Sequence, residues 1–141
     1  MIKTALLLLA MVFGQFAQAT DDPAIEINDH WVNVIPGNSK SNAGYLTIDN
    51  KSGQTIVFKS ASSPQFAMVH LHKSMESNSM MMMKPVDSIE IEAGQSLVMQ
   101  PGGFHLMLKG PTTPIQAGDP VQINLKFADG TEITVDTAAK P

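Results

Sequence analysis

Two histidines and two methionines stand at spacings that could place them around a single ion. His72 is followed by ten residues and then Met83; twenty-one residues further on comes His105, and one residue beyond it Met107. Thioether sulfur is soft and neutral, a poor ligand for Zn(II), Mg(II) or Ca(II) and a good one for Cu(I), whereas imidazole accepts copper in either oxidation state. Two nitrogens with two thioethers therefore describe a Cu(I) site, one ion per chain. With no anionic donor the ion keeps its positive charge, which favours its release to an acceptor bearing thiolates. Spacing by itself leaves a plainer reading equally open, because methionine is a common core filler and a strand histidine is often simply solvated.

The elements that would have to position these donors read as β-strands. Alternation with period two dominates, and no segment after the first residues sustains a helical stripe. In Phe104 to Lys109, His105 and Met107 fall on one face while Phe104, Leu106 and Leu108 fall on the other and can anchor the strand in a core. In Ala67 to His72, Met68, His70 and His72 share the polar face. Pairing of these two strands would assemble three donors, and the methionine-rich segment Ser74 to Met83, read as a loop, would bend over to supply the fourth. Further strands are expected at Ile25 to Ile35, with a bulge near Asp29 where the apolar parity changes, at Tyr45 to Asp49 and at Thr55 to Lys59. Gly37 to Asn42 reads as a loop. Ile89 and Ile91 turn at Ala93-Gly94 to pair back with Ser96 to Met99. Val121 to Phe127 and Ile133 to Val135 form a hairpin whose Asp129-Gly130 suits a type I′ turn. Many short strands between Gly, Pro and Asn turns imply an all-β sandwich or barrel in one domain.

Composition narrows the chemistry. The chain has 141 residues and no cysteine, which removes thiol redox chemistry, zinc ribbons and blue-copper sites. Thirteen acidic residues oppose nine basic ones, all lysine, so nucleic acid is not an expected partner. Of ten methionines, six lie between Met68 and Met83, and Met80 to Met83 are consecutive. Four in a row fit core packing poorly, since alternation would expose half of them, whereas Met68 and Met99 read as packing. His30 reads as structural. Lys3, the apolar stretch Ala5 to Phe13 and Ala17-Gln18-Ala19 form the pattern of a cleaved signal peptide over residues 1–19, leaving a domain of residues 20–141. The apolar stretch is too short to span a bilayer, and no cysteine follows it to take a lipid anchor, so membrane insertion after signal removal is not expected. No Gly-x-Ser-x-Gly elbow, phosphate loop or His-Glu-x-x-His motif is present, so an enzyme is not expected.

The order His72-x10-Met83-x21-His105-x-Met107 resembles the full signature of the periplasmic copper chaperone family PCu(A)C. The flanks DHWVNVIPG, NAGYLTIDNKSG, MKPVDSIEIEAGQSL, PGGFHLML and GDPVQINLKFADG are similar to family segments across nearly the whole of residues 20–141. The resemblance implies a cupredoxin-like, immunoglobulin-like β-sandwich with a surface-exposed Cu(I) site at these four residues, located in the periplasm. It also implies delivery of copper toward the dinuclear copper centre of cytochrome c oxidase, the acceptor being an oxidase subunit or a Sco-type thiol protein. Storage or resistance, and a metal-free structural sandwich of the cell envelope, are the competing readings.

The sequence departs from the family at several points. His70 stands where an acidic residue is usual, as an extra group near the site, a rival ligand or a residue at which the ion enters. Lys84 stands in place of the more usual arginine. Met75, Met80, Met81 and Met82 offer more thioethers than one site requires, which makes Met83 the least securely assigned donor. A histidine- and methionine-rich tail, which holds a second, Cu(II) site in some relatives, is not expected, since neither residue follows Met107.

Two soft donors out of four should give selectivity: competition titrations should show one tightly held Cu(I) and little affinity for Zn(II). Equal affinity for the two ions would overturn the soft-site reading.

Overall fold

The computed structural model describes residues 24–35 and 40–141; the expected signal peptide lies outside them. Ten strands are present among the described residues: β1 (Ile25–Asn33), β2 (Ser41–Asn50), β3 (Ile56–Ser62), β4 (Phe66–Ser77), β5 (Met80–Pro85), β6 (Ile89–Ile91), β7 (Ser96–Val98), β8 (Phe104–Pro111), β9 (Pro120–Phe127) and β10 (Glu132–Lys140). No helix is among them, and none is therefore long and apolar enough to cross a membrane.

One sheet runs β5-β4-β8-β2-β1, and the other runs β10-β9-β3-β6. A short parallel pairing of β1 with β10, at Val32 with Ala139 and Asn33 with Lys140, joins them. The edge of β2 opposite β1 is shared: β8 pairs along Ser41 to Gly44, and β7 along Thr47 to Asp49. Between the sheets lie Val32, Leu46, Ile48, Phe58, Leu106, Leu108, Val121, Ile123 and Leu125, all essentially without solvent contact. Phe58 and Phe127 meet edge to face with ring centroids 5.7 Å apart. The result is the cupredoxin-like sandwich that the family resemblance implied.

The expected bulge in β1 is present, with Asp29 at a φ of 50° and the β1–β2 register shifting between Asn28 and Trp31. The β9–β10 hairpin also forms, but its turn differs from the expected type I′. Only Gly130 has a positive φ, and the Gly130 N–H bonds to the Phe127 carbonyl at 3.1 Å. That pattern is a tight turn followed by a residue in the left-handed region, which a three-residue loop uses in place of two positive-φ residues. Ser41 and Asn42 lie in β2 rather than in a loop.

Two further expectations are corrected. β6 and β7 do not pair with each other: β6 adds to β3 in one sheet, and β7 to β2 in the other. Each is only three residues long, and packing decides which edge it meets. The turn between β2 and β3 is organised by buried Asn50, whose Nδ2 donates to the carbonyls of Gln54 and Ile91 at 2.7 and 2.9 Å. Met99 is buried as expected, but Met68 is exposed on the outer face of β4.

Strand β8 carries two candidate ligands outward only because Leu106 and Leu108 are locked inward. Leu108→Ala should cost about 2–5 kcal/mol in urea unfolding through the lost burial and the cavity left behind. Val98→Ala, at a half-exposed position on β7, should stay within about 0.5 kcal/mol. Equal costs at the two positions would contradict this core assignment.

Candidate metal centre

Strand pairing alone brings the four candidate residues onto one face. In the antiparallel register of β4 with β8, His72 lies directly opposite His105, and His70 opposite Met107. Residues directly opposite have Cβ atoms about 4.5–5.5 Å apart, and the His72 and His105 ring centroids are 5.8 Å apart. On the other side of β4, β5 pairs in turn, with Met83 opposite Ser74. Ser74 is two residues from His72, so Met83 projects from the same face as the two imidazoles.

The methionine segment is therefore a hairpin strand, not a loop. Asn78 and Ser79, with φ of 52° and 62°, form its turn, the two successive positive values that a two-residue hairpin connection uses. Alternation then divides the methionines. Met81, opposite Glu76, shares Met83's face, whereas Met80 and Met82, opposite Ser77 and Met75, point the other way. Of the surplus thioethers, one can reach the site from the neighbouring position. An open pocket of about 310 Å³ runs beside the donors, bounded by Tyr45, Ser74, Met81, Met83, His105 and Met107.

The donors differ in how they are held. His105 is 4% exposed, His72 and Met107 are half-buried, and Met83 is 59% exposed. The site is thus most open at Met83 and closed at His105, whose ring lies 5.8 Å from that of His72. His105 Nδ1 lies 3.2 Å from the Gly103 carbonyl. A carbonyl only accepts, so in the neutral ring Nδ1 carries the proton and Nε2 keeps its lone pair. The same carbonyl accepts the Ser74 N–H at 3.0 Å, which ties the ring's orientation to β4. Pro101-Gly102 sets this up: the Gly103 N–H bonds to the Gln100 carbonyl at 3.0 Å, and Gly102 has a φ of 85°. That is a type II turn, which needs a residue tolerant of positive φ at its third position. Sequence reading missed this positioning carbonyl, although the Pro-Gly-Gly before His105 was its signal.

Two ring nitrogens of the site, His72 Nδ1 and His105 Nε2, are buried without any hydrogen-bond partner. A buried polar atom left unsatisfied costs about 1–3 kcal/mol, and a metal ion bound through both nitrogens would remove that cost. His30 Nδ1 is likewise unpartnered, but it lies on β1, with β2 between it and β8. His70 is exposed, its ring 6.3 Å from that of His72.

Burial lowers the His72 pKa below its usual 6.5, and the positive forms of His105 and His70, with Lys109, push it the same way. The folded state thus favours the neutral, metal-ready imidazole.

The fold and the site together define a cupredoxin-like β-sandwich that presents soft donors from one sheet face. Over residues 25–139 the sequence matches the family described as putative lipoprotein LpqE-like, and the chain belongs to that family. The copper-bound PCuAC domain of PmoF2 has the same fold, with a TM-score of 0.69 and 20% identity over 84% of this chain and 93% of that one. The CuI-DR1885 protein of Deinococcus radiodurans is 32% identical over 88% of this chain and 85% of its own, with a TM-score of 0.66. Putative lipoprotein Lxx21020 of Leifsonia xyli subsp. xyli is 28% identical over 82% of this chain and 69% of its length. The resemblance to PCu(A)C drawn from the motif is thereby established.

Two outcomes follow from this geometry. Unfolded His72 binds a proton near its ordinary value while the folded ring resists it, so its contribution to stability is complete above about pH 6.5 and lost as pH falls through its lower folded pKa. An NMR titration of the metal-free protein should place the His72 midpoint below 6.5; a midpoint at or above it would contradict the burial. For binding, His105→Ala and Met107→Ala should weaken Cu(I) most, and His105→Ala should also cost some stability because the ring is buried. Met83→Ala should be milder, because Met81 stands beside it, and Met81→Ala/Met83→Ala should be far worse. A competition titration in which Met83→Ala matched His105→Ala would show Met83 to be irreplaceable.

Proposed function

We propose that the protein is a Cu(I) metallochaperone of the bacterial envelope that holds one ion between His72, Met83, His105 and Met107 and passes it to a thiol-bearing acceptor. The observation that carries this reading is the pair of buried, unpartnered imidazole nitrogens on a sheet face that also presents two thioethers. The copper-bound PCuAC domain of PmoF2 and CuI-DR1885 support the choice of ion. The lipoprotein names of the family and of the Leifsonia relative support the envelope, and the signal-like residues 1–19 support the periplasm within it.

Transfer follows from the donors. All four are neutral, so thiolates of an acceptor bind Cu(I) more strongly and draw it off by ligand exchange. Met83, on the outermost strand and largely exposed, is the donor an incoming thiolate displaces first, while His105 is the last to let go. The acceptor in this reading is a Sco-type protein or a subunit of cytochrome c oxidase, and the copper is bound for its dinuclear centre. No catalytic role is part of it.

A deletion strain grown at limiting copper should lose cytochrome oxidase activity and regain it with the intact gene but not with His105→Ala. Full oxidase activity combined with copper sensitivity would instead favour storage or resistance.

A further inference from the structure

The surplus methionines were an unexplained motif in the sequence, and the hairpin sorts them. Met75 and Met82 are directly opposed across β4 and β5, and Met80 stands two residues from Met82 on the same face, beside the turn. All three point away from His72 and His105, on the side of the sheet that elsewhere faces the core. Yet they are 46%, 57% and 68% exposed, so these side chains do not serve as core packing.

We infer that Met75, Met80 and Met82 form a second Cu(I) site, on the opposite face of the hairpin from the histidine site. The choice of ion rests on the copper reading above, but the donors are separate. Cross-strand Cβ atoms lie about 4.5–5.5 Å apart and those two residues along a strand about 7 Å apart. A methionine side chain, with three rotatable bonds, spans such gaps, so three sulfurs can converge on one soft ion. A three-thioether set with neither imidazole nor carboxylate selects Cu(I) over divalent ions more strictly than the histidine site does.

The surroundings make this site the weaker of the two. Lys73 and Lys84, opposed in the register, bound the patch at its inner end. Lys73 Nζ sits 5.0 Å from the centre of the ring of Phe104, its cross-strand partner on β8. The residual positive charge of the pair opposes a cation, so the ion is held loosely near the tip. Met80 to Met83 alternate between the two faces of a strand that has no neighbour beyond it among the described residues. Thioethers therefore continue around that open edge, from the outer site at Met80 and Met82 to Met81 and Met83 beside the histidines. The outer site takes up Cu(I) at an exposed tip, and the alternating sulfurs offer it a route inward.

The test is an anaerobic Cu(I) titration of the full chain carrying ¹³C-methyl methionine, followed by NMR. The first equivalent should shift the Met83 and Met107 methyls. A second, bound at least about tenfold more weakly for want of imidazole and beside two lysines, should shift Met75, Met80 and Met82. Met75→Leu/Met80→Leu/Met82→Leu, which keeps apolar side chains at exposed positions, should lose the second equivalent and keep the first. His72→Ala/His105→Ala should lose the first and keep the outer one. Saturation at one equivalent, a second equivalent that survives the triple leucine change, or all hairpin methyls shifting together with the first equivalent would overturn the outer site. Absence of the first equivalent in the unaltered protein, with the outer one still bound, would overturn the proposed function instead.

Discussion

The candidate centre depends on one register. Opposing His72 to His105 and His70 to Met107 across β4 and β8 sets the distance between the imidazoles, puts the thioether beside them, and turns Leu71, Leu106 and Leu108 into the core. A slip of one residue would bury His72 and expose Leu71, so the hydrophobic core enforces the arrangement of the candidate donors rather than merely tolerating it. The ligands are thereby held by a rigid frame on one side and by a pliable hairpin on the other.

That asymmetry suits an ion that has to be given away. The buried end is pre-set: the Gly103 carbonyl fixes which nitrogen of His105 is free and binds β4 through Ser74 as well. The exposed end is built from flexible thioethers on an edge strand, where a ligand can be exchanged without disturbing the sheet. A site with four buried donors would hold an ion longer and give an acceptor no point of approach.

Much of this was legible in the residues. The alternation of Phe104 to Leu108 and of Val121 to Phe127, and the change of parity at Asp29, report local geometry and matched the strands that formed. The methionine strand did not, because four identical side chains have no alternation to read and the flanking Ser and Asn suggest a loop. Its strand character comes from pairing with β4, a partner that local pattern does not name. The separation of β6 from β7 was hidden for the same reason: adjacent short segments look like a hairpin, and only the packing of two sheets parts them. Burial of His105 was also invisible, since its face of the strand was legible but not the depth at which it lies.

The hydrogen bond from the Val86 N–H to the Leu71 carbonyl, 2.9 Å long, holds the far end of β5 in place. Counted from that anchored end, the residue opposite Ser74 is a methionine whether the run behind it contains four members or one. Lengthening or shortening the hairpin at its turn thus changes the number of residues between the first histidine and its methionine without moving the sulfur. The interval of ten is a record of hairpin length, not a requirement of the ion. An insertion or deletion at Asn78-Ser79 is therefore the change in length that this geometry accommodates most directly.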